Sequence, residues 1–168
     1  MKYLVTFVGL LTFLSLAVAS DDEPKHATPV SVTAATNLFK DGNRAKEEGR
    51  AILLLVSQEH CSFCVQIKQE VIGPMIRGGS YAKRLIIREL LLDTGSDVID
   101  FNGSLRTNHD FSYDYHVTLT PTLLFLDGKG NELTEKMVGI QTPDMFYYYV
   151  EQSIQAALSS LDSQTKTH

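Results

Sequence analysis

The sequence predicts an α/β fold in three layers, with a central sheet of mixed strand direction flanked by helices. Three observations carry that prediction. Ala51-Ile52-Leu53-Leu54-Leu55-Val56 is a continuous apolar run of strand length, as expected for a strand buried on both faces. Strand-like runs then alternate with helix-like segments, the order that builds layered α/β sheets. Finally, Asp127-Gly128-Lys129-Gly130-Asn131 reads as a strong hairpin turn, and a helical segment follows it.

The chain has 168 residues, which favours one domain, and 43% of them are hydrophobic, enough for a core. Its formal net charge of -5 gives no basic footprint for nucleic acid. Lys2 precedes an apolar run from Tyr3 to Val18, which ends in Ala17-Val18-Ala19 and polar Ser20-Asp21-Asp22-Glu23. That pattern is a secretory signal peptide over residues 1–19, with cleavage expected after Ala19. An uncleaved anchor is the other reading, but the run is near the lower limit for spanning a bilayer. The expected location is therefore periplasmic or otherwise secreted.

Residues 20–34 are polar with Pro24 and Pro29 and read as a flexible lead-in to a domain over 35–158. Ala35 to Glu48 is helical in composition, weakened at Asp41-Gly42-Asn43 and stopped by Gly49. Ala51 to Val56 is the first strand, and Ser57-Gln58-Glu59-His60 is its polar exit. After Cys61 and Cys64, the apolar residues Val65, Ile67, Val71 and Ile72 mark a helix that Gly73-Pro74 should break or kink. Arg84 to Asp93 is a second buried strand. Asp97 to Asp110 reads as loop, and Phe111 to His116 as a short helix. Thr118 to Asp127 is a third strand with Pro121 at its entrance. Glu132 to Gly139 is the returning edge strand. Thr142-Pro143-Asp144 starts the last helix with a capping hydroxyl, and Phe146, Tyr149, Val150, Ile154, Ala157 and Leu158 follow at helical spacing. Residues 159–168 read as a polar, flexible tail.

Cys61 and Cys64 are the only cysteines. A disulfide between them closes too short a loop to be a useful staple, so a structural purpose is weak. A strand feeding a helix places Cys61 at the sheet's carboxyl edge and at the helix N-terminus. Unpaired backbone N–H groups and the helix dipole there favour its thiolate, the nucleophile of disulfide exchange. Cys64, one helical turn on, is placed to resolve a mixed disulfide. His60 either stabilises that thiolate when protonated or shapes the partner surface. Glu59 either accepts a proton from Cys64 through water or is a solvated loop carboxylate. A zinc site is the rival reading. It would have to borrow from His26, His60, His109, His116 and His168, none at a convincing spacing, so no metal and no other cofactor is expected.

From about Ala35 to Leu158 the chain resembles the thioredoxin fold. The resemblance rests on the strand leading into Cys61-Ser62-Phe63-Cys64, on Tyr115-His116-Val117 ahead of Thr120-Pro121-Thr122, and on the Asp127 hairpin followed by Gly139 and a terminal helix. It is most similar to exported SoxW-like proteins, through Ser57 to Cys64 and Val98-Ile99-Asp100-Phe101-Asn102-Gly103. The resemblance implies that Cys61 and Cys64 form the redox disulfide. It also implies a cis Thr120–Pro121 bond at a substrate-docking loop, with Ser62 and Phe63 on the same binding surface. The less favoured reading of Pro121 is a trans proline at a strand entrance. The chain departs from cytosolic thioredoxins at Ser62 and Phe63, and at Leu55, where they carry a buried Asp.

The expected activity is thiol–disulfide exchange, with reduction of protein or small-molecule disulfides preferred over disulfide formation or isomerisation. The expected partners are disulfide-bearing proteins or small thiols and a membrane or exported thiol electron donor, with the chain itself a monomer. A non-catalytic binding module is the alternative from another class. Phe63 and Tyr147 to Tyr149 suit a partner surface, although packing is the expectation for the tyrosines.

Overall fold

The computed structural model describes residues 31–166. The expected signal peptide and most of the lead-in lie outside the described residues. A four-stranded sheet in the order β2-β1-β5-β6 forms the centre. It comprises β1 (Ala51–Ser57), β2 (Leu85–Leu91), β5 (Thr122–Leu126) and β6 (Met137–Val138). β1 runs parallel to β2 and antiparallel to β5, so the sheet is mixed, as expected.

All seven residues of β1 are buried because both faces of the sheet are covered. Alternation along the strand divides the core in two. Ile52, Leu54 and Val56 pack with Leu38 and Ala45 of α1 (Leu38–Glu48), with Ile86 and Leu90, and with Phe111 of α4 (Asn108–Asp114). Leu53 and Leu55 pack with Ile67, Val71 and Ile72 of the cysteine helix and with Phe146, Val150 and Ile154 of α5 (Phe146–Lys166). Burial of each such aliphatic side chain contributes roughly 1.5–3 kcal/mol.

Several expectations are corrected. The ordered fold starts before residue 35: Val32 is buried, and Ala34 bridges Glu89 in parallel. α1 runs unbroken through Asp41-Gly42-Asn43, because Arg88 grips Asp41 with two hydrogen bonds of 2.7 and 2.8 Å. Gly49 ends it in the left-handed conformation at φ 63°. Ser57 belongs to β1 and is fully buried rather than forming a polar exit.

Pro74 does not end the cysteine helix. α2 (Ser62–Ile67) passes through a π-helical stretch, Lys68–Ile72, into α3 (Gly73–Gly78). The wider turn comes where a proline's ring and missing N–H would disturb a regular ladder.

The expected loop at 97–110 contains a small hairpin of β3 (Asp97–Ile99) and β4 (Leu105–Thr107), and α4 begins at Asn108. Asp100 makes that hairpin by accepting the Asn102 and Ser104 N–H groups at 2.9 Å. The third strand is shorter than expected, beginning at Thr122. The returning edge is interrupted: Glu132 bridges Leu126, Leu133 turns into the core, and pairing resumes only at Met137–Val138.

Thr142 makes no side-chain cap; Pro143–Met145 is a 3-10 turn that leads into α5. α5 continues through Lys166 where a flexible tail was expected, since Leu161 packs on the core and Asp162 accepts from Arg84 at 2.7 Å. Tyr147, Tyr148 and Tyr149 are exposed rather than packed, because Phe146, Val150 and Ile154 form the buried stripe.

Candidate active site

β1 carries the chain to the carboxyl edge of the sheet at Ser57, and Gln58, Glu59 and His60 form an exposed turn beyond it. The turn is tethered: the Glu59 N–H donates to both carboxylate oxygens of Asp93, at 3.0 Å each. Asp93 follows the end of β2, so the two parallel strands jointly set where the next residue falls.

That residue is Cys61, the N-cap of α2. Its backbone is extended, and its sulfur accepts the Cys64 N–H at 3.1 Å. Helix N-termini present unpaired N–H groups and positive potential, which favour a thiolate over a thiol once the cysteine is reduced. Cys61 and Cys64 are joined as a disulfide, with Cα atoms 5.1 Å apart. The two sulfurs differ in access: Cys61 is partly exposed, whereas Cys64 is 0% exposed.

Thr120 and Pro121 approach from the strand beyond. The Thr120–Pro121 peptide bond is cis. The Thr120 hydroxyl lies 2.8 Å from Gln58 Oε1 and 3.7 Å from Cys61 Sγ. A hydroxyl has one proton, and the closer, better acceptor is Gln58. Pro121 is buried, and its carbonyl accepts the Gly139 N–H at 2.8 Å, which ties the loop to the end of β6.

A cavity of about 550 Å³ opens beside Cys61 and collects His60, Ser62, Phe63 and Thr120 on its walls. Among its lining side chains, Phe63 and Leu119 are exposed apolar ones, at 56% and 63%. The structure therefore brings Cys61, Ser62, Phe63, His60 and Thr120 together on one surface, with Cys64 and Pro121 buried behind it. Glu59 stands apart in the exposed turn. Sequence reasoning missed Gln58, Asp93 and Tyr113, the last supplied to the cavity by α4.

Tyr115 braces this edge from behind. Its hydroxyl donates to the Gly130 carbonyl at 2.8 Å, its ring lies 5.2 Å from that of Phe111, and burial pushes its phenol well above the ordinary range. Among the described residues no cluster of three or more His, Cys, Asp or Glu side chains could hold a metal ion. No helix among them is long and apolar enough to cross a membrane.

Residues 38–154 match the family described as thioredoxin-like domain. The DsbH oxidoreductase structure aligns over 82% of this chain and 94% of its own, at 13% identity and a TM-score of 0.55. A mutant thioredoxin h from poplar aligns over 78% of this chain and 89% of its own, at 19% identity and a TM-score of 0.51. Those identities speak for the fold alone. No curated protein sequence matches the chain.

Proposed function

The chain belongs to the thioredoxin-like domain family, and from that premise we propose that it is an exported thiol–disulfide oxidoreductase that reduces disulfides of proteins or small molecules. A thioredoxin-like fold carrying a C-x-x-C pair supports thiol–disulfide exchange in general. The observation that carries the reading is the unequal placement of the two sulfurs. Cys61 is open to the cavity at a helix N-terminus, and Cys64 is sealed beneath it.

In this reading the Cys61 thiolate attacks one sulfur of a substrate disulfide, and the other sulfur leaves as a thiolate. Cys64 then attacks Cys61 Sγ, closes the intramolecular disulfide and releases the second substrate thiolate. Two electrons pass from the dithiol to the substrate. Thr120 and Pro121 dock an extended substrate segment beside Cys61, with Ser62 and Phe63 on the same surface. His60 shapes that surface. Electrons return from a membrane or exported thiol donor. Export is supported by the residue 1–19 pattern.

Insulin reduction in the presence of a chemical reductant tests the activity, with Cys61→Ser as control. Wild-type protein no faster than the variant would sink the enzyme reading and leave a binding module. Direction is tested by the potential of the pair. A value near about -270 mV supports a reductant, and one near about -120 mV an oxidant.

A further inference from the structure

We propose that the cavity between the Cys61 turn and α4 selects an extended polypeptide with an aromatic and a basic residue beside its disulfide cysteine. Tyr113 is the specificity-determining residue. The inference rests on the oxidoreductase reading above and narrows it from disulfides in general to those of polypeptides.

α4 has a buried face and an outward one. Phe111 and Ser112 are buried, whereas Tyr113 is 71% exposed. Its side chain makes no hydrogen bond or ring contact among the described residues, unlike Tyr115, whose hydroxyl and ring are both engaged. Tyr113 lines the cavity of about 550 Å³ that opens on Cys61. It also lines a second concavity, with Leu105 and Asp110. Leu105 is as exposed as Tyr113. Phe63 and Leu119 in the first concavity and Leu105 in the second are thus joined through Tyr113 into one row of exposed apolar side chains. Exposed apolar residues scattered singly are ordinary, but a connected row marks a surface that a partner covers.

Both walls of the cavity share one support. The Asn108 side chain donates to the Leu91 carbonyl at 2.8 Å and its backbone N–H to the Ser96 carbonyl at 3.0 Å, which holds the start of α4 on the exit of β2. Asp93, on the same exit, holds the turn before Cys61. At the other end of α4, the Tyr113 carbonyl accepts the His116 N–H at 2.9 Å and the Ser112 carbonyl accepts the Val117 N–H at 3.3 Å. Those bonds fix α4 to the loop that leads to Thr120. A preformed site of this kind loses less entropy on binding than one that must be ordered.

Charge selects the occupant. No Lys, Arg, Asp or Glu lines the cavity beside Cys61, so the side chain it takes is uncharged. An aromatic one suits it, because Phe63 and Tyr113 offer ring faces and edges. The surroundings are negative. Glu59, Asp93 and Asp110 are exposed, and none is paired with a lysine or arginine among the described residues. Arg106, the one such cation lining either concavity, is engaged by Asp114 and by the Asp110 carbonyl. His109 lies 3.7 Å from Asp110 and carries charge only when protonated. A basic residue on the substrate is therefore attracted, and an anionic small disulfide such as oxidised glutathione is repelled. The Thr120 hydroxyl, 3.7 Å from Cys61 Sγ, belongs to the same cavity wall, so a substrate cysteine at Cys61 brings its chain neighbour over the cavity.

The test compares three disulfides on the reduced full-length protein. Two are disulfide-linked peptide dimers, one with Trp and Lys flanking the cysteine and one with Gly and Glu; the third is oxidised glutathione. kcat/KM is expected to be about tenfold higher for the Trp and Lys peptide than for the other two. Tyr113→Ala is expected to remove most of that preference, and Asp110→Asn to lower the rate on the Trp and Lys peptide about threefold. Equal rates on the two peptides, faster reduction of glutathione, or a preference that survives Tyr113→Ala overturns the proposal. Tyr113 is exposed, so its removal leaves the core intact. The chain has no tryptophan, so the Trp and Lys peptide with serine for cysteine reports its own binding by fluorescence. Binding that Tyr113→Ala abolishes upholds the surface even where no disulfide is reduced, and failure of the oxidoreductase reading is then seen separately. Absence of both binding and reduction overturns the proposal.

Discussion

Gly42 and Gly128 face each other so closely that a Cβ added to either would lie 2.5 Å from the other's carbonyl oxygen. Gly42 is in the middle of α1, and Gly128 is in the turn after β5, so their contact sets how near the helix approaches the hairpin. In an exposed helix, Gly→Ala gains roughly 0.5–1 kcal/mol. Here the Cβ meets backbone, and overpacking of that kind costs about 1–3 kcal/mol. The clash outweighs the propensity gain. Gly42→Ala is therefore expected to destabilise the fold in urea titration, and a stabilised variant would contradict the packing described.

The Asp93 carboxylate holds the turn before Cys61 through the Glu59 N–H alone, at a site open to solvent. Hydrogen bonds to charged groups are worth about 1.5–3 kcal/mol when shielded, and less in water. Asp93→Ala is expected to cost about 1 kcal/mol in denaturant midpoint, with Asp93→Asn retaining part of the loss because it keeps an acceptor. The sharper readout is the alkylation rate of Cys61 in the reduced protein. It should change in Asp93→Ala, since the turn that aims the sulfur is loosened. An unchanged rate would mean that α2 alone positions Cys61.

Parts of this architecture were legible because they depend on local pattern. Ala51 to Val56 is apolar at every position, and only a strand covered on both faces needs that, so the place of β1 and of Cys61 after it could be read directly. Asp93 and Gln58 were not legible. Each is a polar residue in an unremarkable stretch whose role comes from register between β1 and β2 or from the approach of the Thr120 loop. Composition also misled at the C-terminus. Residues beyond Leu158 are mostly polar, yet Leu161 and the Asp162–Arg84 pair are sufficient to hold them helical. Tyr149 fell on the expected helical stripe and is exposed, because the stripe is centred on Val150 and Ile154.

Unequal access to the two sulfurs has a direct chemical consequence. After reduction, brief treatment with iodoacetamide near neutral pH is expected to label Cys61 and spare Cys64, since Cys61 opens on the cavity and Cys64 is 0% exposed. Denaturation should equalise the two. Peptide mapping by mass spectrometry reads the ratio, and equal labelling in the folded protein would contradict the sealed position of Cys64. The same asymmetry predicts that Cys64→Ala keeps the reactive thiol but accumulates mixed disulfides, with turnover falling to the uncatalysed level.

The buried phenol of Tyr115 gives the fold a defined response to alkali. Burial holds Tyr115 neutral well above its ordinary range, while the unfolded chain ionises near about 10. The folded-state value is raised, so the contribution to stability is fully present below about pH 10 and is lost as pH climbs beyond it. In that window the unfolded state releases a proton that the folded state keeps. Tyr115→Phe removes the titrating group and also the hydrogen bond to the Gly130 carbonyl, at a cost of about 1 kcal/mol near neutrality. The variant should therefore melt below the wild type at neutral pH, and the gap should narrow above about pH 10. Some alkaline slope will remain in the variant, because burial and the neighbouring Glu151 raise Tyr81 as well. Thermal melts of both proteins from neutral to strongly alkaline pH decide the matter, and two curves that stay parallel throughout would show that Tyr115 ionises as freely in the fold as in the unfolded chain.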